Sequence, residues 1–279
     1  GDVYDCGDFM RNYDECLEAG EYGAVAERRE EARRRGKYLG VGTSNTVTGV
    51  ASTNFEHVEV RFDPSGGITL LSGAMDHGQG HGTTFKQVLA GKLGIDGNDI
   101  KYRFGDTDKV TTGVGTFNAR CAVFVGSAVA NAADKIIEKG KRIAAHLLEA
   151  AVDDIEYEGG QFTVAGTDRS LDLTEIAKTA FQKPKLPPDI EPGLYEHGEF
   201  GMGMGEAPTY PNGSHLAEVE IGADTGKITI TRYTAVDDAG TVLNPLLFDG
   251  QVHGGIVQGA SQIIMEDIHY DRESGQLIT

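Results

Sequence analysis

Three glycine-marked junctions hold the residues that could do chemistry. The first is Asp76-His77-Gly78-Gln79-Gly80-His81-Gly82-Thr83-Thr84. It joins a strand-like run to a helical one, so its glycines can leave backbone N–H groups open where a helix starts. Orphan donors and the helix dipole favour an anion there. Gln79 adds an amide that both donates and accepts. A plain strand-to-helix turn accounts for the same residues, and spacing alone does not separate the two readings. His77 and His81 have the spacing of a helical metal pair. The glycines between them break the helix that would present both imidazoles, and no glutamate follows the first histidine.

The second junction is Gly113-Val114-Gly115-Thr116-Phe117-Asn118-Ala119-Arg120-Cys121. Thr116 or Asn118 could cap the helix that follows. As a site, the amides, the hydroxyl and Arg120 would clamp a phosphate or a polar ring. The spacing G-x-G-x-x-G is absent, so this is no dinucleotide fingerprint. The third is Asp237-Asp238-Ala239-Gly240-Thr241, followed by Asn244-Pro245 and LLFDGQVHGGIVQGASQ. Gly250, Gly254, Gly255 and Gly259 share roughly one helix face. Each costs about 0.8–1.0 kcal/mol relative to alanine, so they mark a stripe that another backbone or a ligand approaches closely.

The elements that must position these junctions read off hydrophobic period. Residues 6–36 have a helical pattern, with Phe9, Met10, Tyr13 and Leu17 in step, ending in a charge-rich run, Glu27 to Arg35, expected on a solvated face. From Lys37 the pattern turns to strands. HVEVRFDPSGGITLLSG is a hairpin turning at Asp63–Gly67, and Thr83 to Leu93 is a helix stopped by Gly94. DIKYRFGDT is a strand, and Arg120 to Ala151 is the longest helix. A short strand follows Gly159-Gly160, then a helix at Leu173–Phe181 and the connection QKPKLPPDIEPG. HLAEVEIGADTGKITITRYTAVDDAG is a second hairpin, and Asn244 with Pro245 opens a last helix. The class is α+β, as two lobes, each a hairpin-containing sheet packed on helices. The expected division is an N-terminal helical segment at 1–36, a first lobe at 37–170 and a second at 171–279.

Composition narrows the function. Glycine is 39 of 279 residues, about twice the usual ~7%. A net charge of −18 excludes nucleic acid and anionic membranes as natural partners. Any bound phosphate must be held by local amides or a local arginine. Cys6, Cys16 and Cys121 form neither a disulfide framework nor a C-x-x-C pair, which suits a reducing cytoplasm. The chain opens without Met and stops after a turn signal, so a piece of a longer subunit is expected.

Taken in order, MDHGQGHGTTFKQV, GTFNARCAVFVGSAV and VDDAGTVLNPLLFDGQVHGGIVQGASQ resemble the large, molybdopterin-binding subunit of the xanthine dehydrogenase, aldehyde oxidase and carbon monoxide dehydrogenase family. The flanks YDCGDF, KYLGVG, APTYPNGSHLAEVEI and MEDIHYDRESGQLIT agree. The resemblance implies a molybdenum cofactor in dinucleotide form, with a 2Fe-2S cluster and FAD on partner domains or subunits. It implies hydroxylation of an aldehyde, an N-heterocycle or a similar small substrate, with oxygen from water.

Carried over, Gly78, Gln79, Gly80, His81 and Thr83 would lie against the pterin and the molybdenum. Thr116, Phe117, Asn118, Ala119, Arg120 and Cys121 would hold the pterin and phosphate, and Asp238, Thr241, Asn244 and Gln251 the dinucleotide tail. No residue of the chain is expected to ligate molybdenum. The family's catalytic glutamate is expected C-terminal to Thr279, and Glu206 in Gly203-Met204-Gly205-Glu206 is expected to imitate its motif without its role. Ala239 and Ser214 stand where the family commonly has cysteine, which puts the contacts there in question. Two other classes stay open: a metal-dependent hydrolase using His77, His81, His253 and Asp237 or Asp238, and a non-enzymatic assembly module built on the glycine-lined helix.

Overall fold

The switch of hydrophobic period at Lys37 separates two short helices from the first of ten strands among the described residues. In chain order the elements are α1 (Phe9–Ala19), α2 (Val25–Arg34), β1 (Lys37–Val47), β2 (Phe55–Phe62), β3 (Ile68–Ser72), α3 (His81–Leu93), β4 (Ile100–Phe104) and α4 (Cys121–Leu147). Then come β5 (Ile155–Glu158), β6 (Gln161–Val164), β7 (Ser170–Asp172), α5 (Leu173–Thr179), β8 (Tyr195–Gly201), β9 (Asn212–Gly222), β10 (Ile228–Asp238) and α6 (Pro245–Ile264). The computed structural model describes residues 3–50, 55–202 and 208–279. These group by contact into two units, 51–206 and 1–50 with 207–279.

In the unit 51–206 a four-stranded sheet has the order β4-β3-β2-β8. The β2–β3 hairpin forms where Asp63 Oδ1 accepts from Ser65 N (2.8 Å) and Gly67 N (3.0 Å). Antiparallel β3 and β2 can be joined by that tight turn. β4 runs parallel to β3, so it needs a crossover, which is α3. β2 is central, and residues 56–60 are buried without a break. α4 lies across β2 and β8, and its small residues let it sit close. A Cβ at Gly198 would stand 1.9 Å from the Ala128 carbonyl oxygen, so only glycine lets β8 meet the helix backbone. Asn131 Nδ2 and Lys135 Nζ of α4 donate to the carbonyls of Glu199 (2.8 Å) and His197 (2.7 Å) on this edge strand. The core joins Val58, Val60 and Leu70 of the sheet to Phe85 and Leu89 of α3 and Val125, Val129 and Ile136 of α4. A small sheet, β5-β6-β7, closes the other end of α4, with Phe162 packed against Gly140.

Two expectations change here. The expected division put residues 37–170 and 171–279 in separate lobes, yet Leu186, Ile190 and Leu194 of the second share one core with Val58 and Val125 of the first. The contact boundaries therefore fall near residues 50 and 206, and β1 pairs with β9, not β2. β5, β7 and β8 were not foreseen as strands. The last, YEHGEFG, carries little of the apolar alternation that marks a strand.

The unit of 1–50 and 207–279 is built on an antiparallel sheet, β1-β9-β10. α1 and α2 pack on it, α1 on β9 and β10 and α2 on β1. The helical run expected at 6–36 is broken at Gly20–Ala24, where Glu21 adopts a left-handed φ of 50°. Nor does its charge-rich end merely face water. Arg28 forms a two-pronged pair with Glu218, and Arg35 pairs with Glu220. Lys37 Nζ adds a third cation, 2.7 Å from Glu220 Oε2. Both carboxylates are almost fully buried, which is costly without such partners. α6 begins as expected, its Asn244 Oδ1 accepting from Leu247 N (3.1 Å) with Pro245 in the first turn.

Arg35 and Lys37 hold the Glu220 carboxyl down at about 2. A depressed folded value contributes stability above the ordinary carboxyl range and loses it as pH falls through the folded value. Glu220→Gln should therefore be less stable than the parent at neutral pH. Denaturant titrations at stepped pH should show that gap constant above about 4.5 and closing between there and about 2. A gap that does not depend on pH would mean the ion pairs contribute nothing.

Candidate functional site

Two of the three candidate junctions lie in the unit 51–206, at the ends of β3 and at the start of α4, and they meet. Thr116 Oγ1 donates to the Met75 carbonyl (2.7 Å), and Gln79 Nε2 donates to the same oxygen (3.3 Å). Gly73 and Gly113 cross with so little room that a Cβ on either would lie 2.8 Å from the other's Cα. The chain thus brings residues 75–83 and 113–121 together, through the Thr116 hydroxyl and through the close backbone crossing at Gly73 and Gly113.

The amides of the first loop are not open as expected. Asp76 Oδ1 accepts from Gly78 N (2.9 Å) and Gly80 N (3.3 Å), and Oδ2 from Gly82 N (3.1 Å). The chain's own carboxylate fills the anion site at the N-terminus of α3. Burial would raise the Asp76 carboxyl, but the three amides and His81 outweigh it and hold it below the usual carboxylate range. Gly78 and Gly80 have φ of 108° and 83°, the left-handed region that favours glycine. Gln79 Oε1 accepts from His77 N, and its Nε2 stands 3.1 Å from His81 Nε2. Burial lowers the His81 pKa against the pull of Asp76. Thr83 is exposed on the first turn of α3.

In the second loop the departures are larger. Arg120 is fully buried. Its Nη1 donates to Glu56 Oε1 and to the Gly115 carbonyl, both at 2.6 Å, and its Nη2 to the Phe55 carbonyl at 3.0 Å. Expected as a phosphate clamp, Arg120 is spent inside the fold, because Glu56 beside it is equally buried and needs the charge. Glu56 was not singled out in the sequence. The only hint is its place in the strand-bound run FEHVEV, where it occupies a position that burial makes costly for a carboxylate.

Arg120 is the N-cap residue of α4, and its side chain makes no cap hydrogen bond. Phe117, Asn118 and Ala119 stand exposed, and the last two hold left-handed φ of 47° and 52°. Cys121 is buried, its Sγ 3.6 Å from Thr116 Oγ1, and burial raises its thiol pKa.

The third junction belongs to the other unit. Asp238 Oδ1 accepts from Gly240 N (3.0 Å), a local turn. Thr241 and Gln251 are exposed, and Asn244 is the cap of α6. A Cβ on Gly250, Gly254, Gly255 or Gly259 would meet nothing within 4 Å, so the stripe faces open space and not a closely packed backbone. Asp237 stands 3.3 Å from His215 Nε2, whose Nδ1 is 3.0 Å from the Tyr233 hydroxyl. Among the described residues no group of three or more His, Cys, Asp or Glu side chains is placed to hold a metal ion. Glu206 and the rest of its glycine-methionine run lie outside the described residues.

The molybdopterin cofactor-binding domain family matches residues 15–279 of this chain. Among curated proteins, the carbon monoxide dehydrogenase large chain of Hydrogenophaga pseudoflava is 33% identical, over 99% of this chain and 36% of its own length. The nicotine 6-hydroxylase large subunit of Paenarthrobacter nicotinovorans is 35% identical, over 100% of this chain and 35% of its own. Among solved structures, quinoline 2-oxidoreductase from Pseudomonas putida 86 superposes with a TM-score of 0.85 at 34% identity, covering 98% of this chain and 36% of that one. This chain belongs to the molybdopterin cofactor-binding domain family, the domain carried by the large subunits of molybdenum hydroxylases. It spans about a third of the length of the curated relatives it matches.

Removing the Asp76 carboxylate leaves three amides at the α3 N-terminus without their acceptor. Asp76→Ala should cost about 0.5–2 kcal/mol at neutral pH. Because the folded pKa lies below 3.8, the parent's advantage should fade as pH falls through that depressed value. Thermal denaturation from neutral pH to about pH 3 checks this. An Asp76→Ala protein as stable as the parent throughout would remove Asp76 as the cap.

Proposed function

We propose that this chain is the cofactor-holding part of a molybdenum hydroxylase, with residues 78–83 and 116–121 as the near wall of its pterin site. The observation that carries this is the exposed loop at the start of α4. Asp76 fills the anion position ahead of α3, and Phe117, Asn118 and Ala119 stand exposed where α4 begins. A helix N-terminus with about half a positive charge suits an anionic phosphate. The site fits the group in a second way: a Cβ at Gly78 or Gly115 would meet nothing within 4 Å, so no side chain covers the backbone there. Phe117, 45% exposed, offers a flat apolar face against which a ring system can lie.

In this reading Gly78, Gln79, Gly80 and His81 bind the pterin's polar edge, and Thr83 stands beside them on α3. Thr116, Phe117, Asn118, Ala119 and Cys121 contribute amides and surface, while Arg120 acts from inside. Asp238, Thr241, Asn244 and Gln251 remain the proposed contacts of a dinucleotide tail. His81, whose pKa burial lowers and whose ring lies beside the Gln79 amide, adds a polar edge to the site. When bound, the cofactor supplies two-electron redox chemistry for hydroxylating a carbon with oxygen from water. The printed names of the relatives include carbon monoxide dehydrogenase, nicotine hydroxylase and quinoline oxidoreductase, which supports a small-molecule substrate. The names "large chain" and "large subunit" support a multi-subunit assembly, with 2Fe-2S and FAD carriers as partners. No helix among the described residues is long and apolar enough to cross a membrane, and we place the assembly in the cytoplasm.

Gln79→Ala in the full-length enzyme should lower molybdenum content and turnover by about ten-fold, the scale of losing a well-placed polar contact, with circular dichroism unchanged. Normal metal content and turnover in that variant would remove Gln79 from the site.

A further inference from the structure

We infer that Glu56, which lies in none of the three junctions, is the positioning residue of the cofactor loop, and that it sets how firmly the cofactor is held. The inference rests on the reading above, that residues 116–119 touch the cofactor. One oxygen of Glu56 does the holding. Oε1 accepts from Val114 N (3.0 Å), Gly115 N (2.9 Å) and Arg120 Nη1 (2.6 Å). It thereby grips both ends of the segment that carries the exposed residues. Arg120 closes the grip through the Gly115 and Phe55 carbonyls, its guanidinium 5.3 Å from the Phe117 ring and 4.8 Å from that of Phe124.

Between the gripped ends Asn118 and Ala119 are both left-handed. Two such residues in succession persist only where the surroundings over-determine them. The other side of the carboxylate takes no part: Oε2 is buried without a hydrogen-bond partner, as is Arg120 Nε. A buried ion pair with unmet polar atoms is a poor device for stability, since apolar residues of similar volume often do as well or better. What it does supply is direction. A fixed acceptor orients two loop amides and one guanidinium at once, and the loop's exposed face is set as a result. Aspartate, one methylene shorter, keeps the charge beside Arg120 but cannot reach the amides as well.

The test uses the full-length holoenzyme and its cofactor-free form. Hydrogen exchange of residues 114–119 is read together with molybdenum and acid-released pterin per polypeptide after dialysis. In the parent, cofactor loading should slow exchange at residues 116–119. In Glu56→Asp, exchange at Val114 and Gly115 should rise and cofactor content should fall, each by about ten-fold, the scale of losing one charge-assisted hydrogen bond. The melting temperature should move only a few degrees. A double variant, Glu56→Gln with Arg120→Gln, removes both charges together and carries the same expectation where the single one does not accumulate. Cofactor retained at parental level in both variants, with loading still protecting residues 116–119, would overturn the role of Glu56 alone. Absence of that protection in the parent would overturn the contact reading and this inference with it.

Discussion

How closely α4 can lie on the sheet decides where everything else in its unit stands. Gly198 removes the one Cβ that would strike the Ala128 carbonyl, and Ala128, Ala132 and Ala133 keep the facing side of the helix thin. With α4 seated there, its first turn arrives beside the start of β2. Arg120 and Glu56 are then both stripped of water and must pair. The loop before α4 has no freedom left over: its ends are tied to Glu56, and its middle must bulge outward through left-handed residues. A packing constraint in the core is thus converted into the shape of an exposed loop some distance from it. A substitution that lifted α4 from β8 would be felt first at that loop.

Charge is handled by the same economy in both units. A chain with a net charge of −18 has too many carboxylates to leave buried ones without partners. Glu218 and Glu220 take Arg28, Arg35 and Lys37, Glu56 takes Arg120, and Asp76 takes three glycine amides. The result is selective. Amides that a foreign anion could have used ahead of α3 are occupied by the protein itself, while Phe117, Asn118 and Ala119 at the start of α4 stand exposed. In a strongly acidic molecule, a phosphate is directed less by long-range attraction than by which local donors have been left over.

Most of the elements were legible, because hydrophobic period and capping residues are local signals. The β2–β3 hairpin, α3 ending at Gly94, α4, and the Asn244 and Pro245 start of α6 all follow from residues within a few positions of each other. What was not legible depended on partners far along the chain. Arg120 looks like a clamp until Glu56, 64 residues away, is seen beside it. The Glu27–Arg35 run looks solvated until Glu218 and Glu220 arrive on β9. β8 reads as a connection because it is held by the backbone of β2 and the side chains of α4, not by an apolar face of its own. In the first loop the acceptor for the amides, Asp76, opens the very motif, and spacing alone does not show that its carboxylate turns back onto the glycines that follow it.

Glycine count by itself carries less than the two kinds of glycine it mixes. At Gly94, Gly113 and Gly198 a side chain would strike backbone within 3 Å, so these positions are set by the fold's own packing. At Gly78 and Gly115 the backbone is left-handed and the space beyond it is open. There the residue serves conformation, its amide held by Asp76 or Glu56 and its Cα face open. The four glycines of α6 belong to neither group. They are helical, no residue of that helix is buried, and no atom lies near enough to use the missing side chains. Together they forgo about 3–4 kcal/mol of helix propensity relative to alanine, which the Asn244 cap, Pro245 and the half-buried Phe248, Val252 and Ile256 offset only in part. Stability therefore does not account for their choice in α6, whereas at Gly94, Gly113 and Gly198 it does.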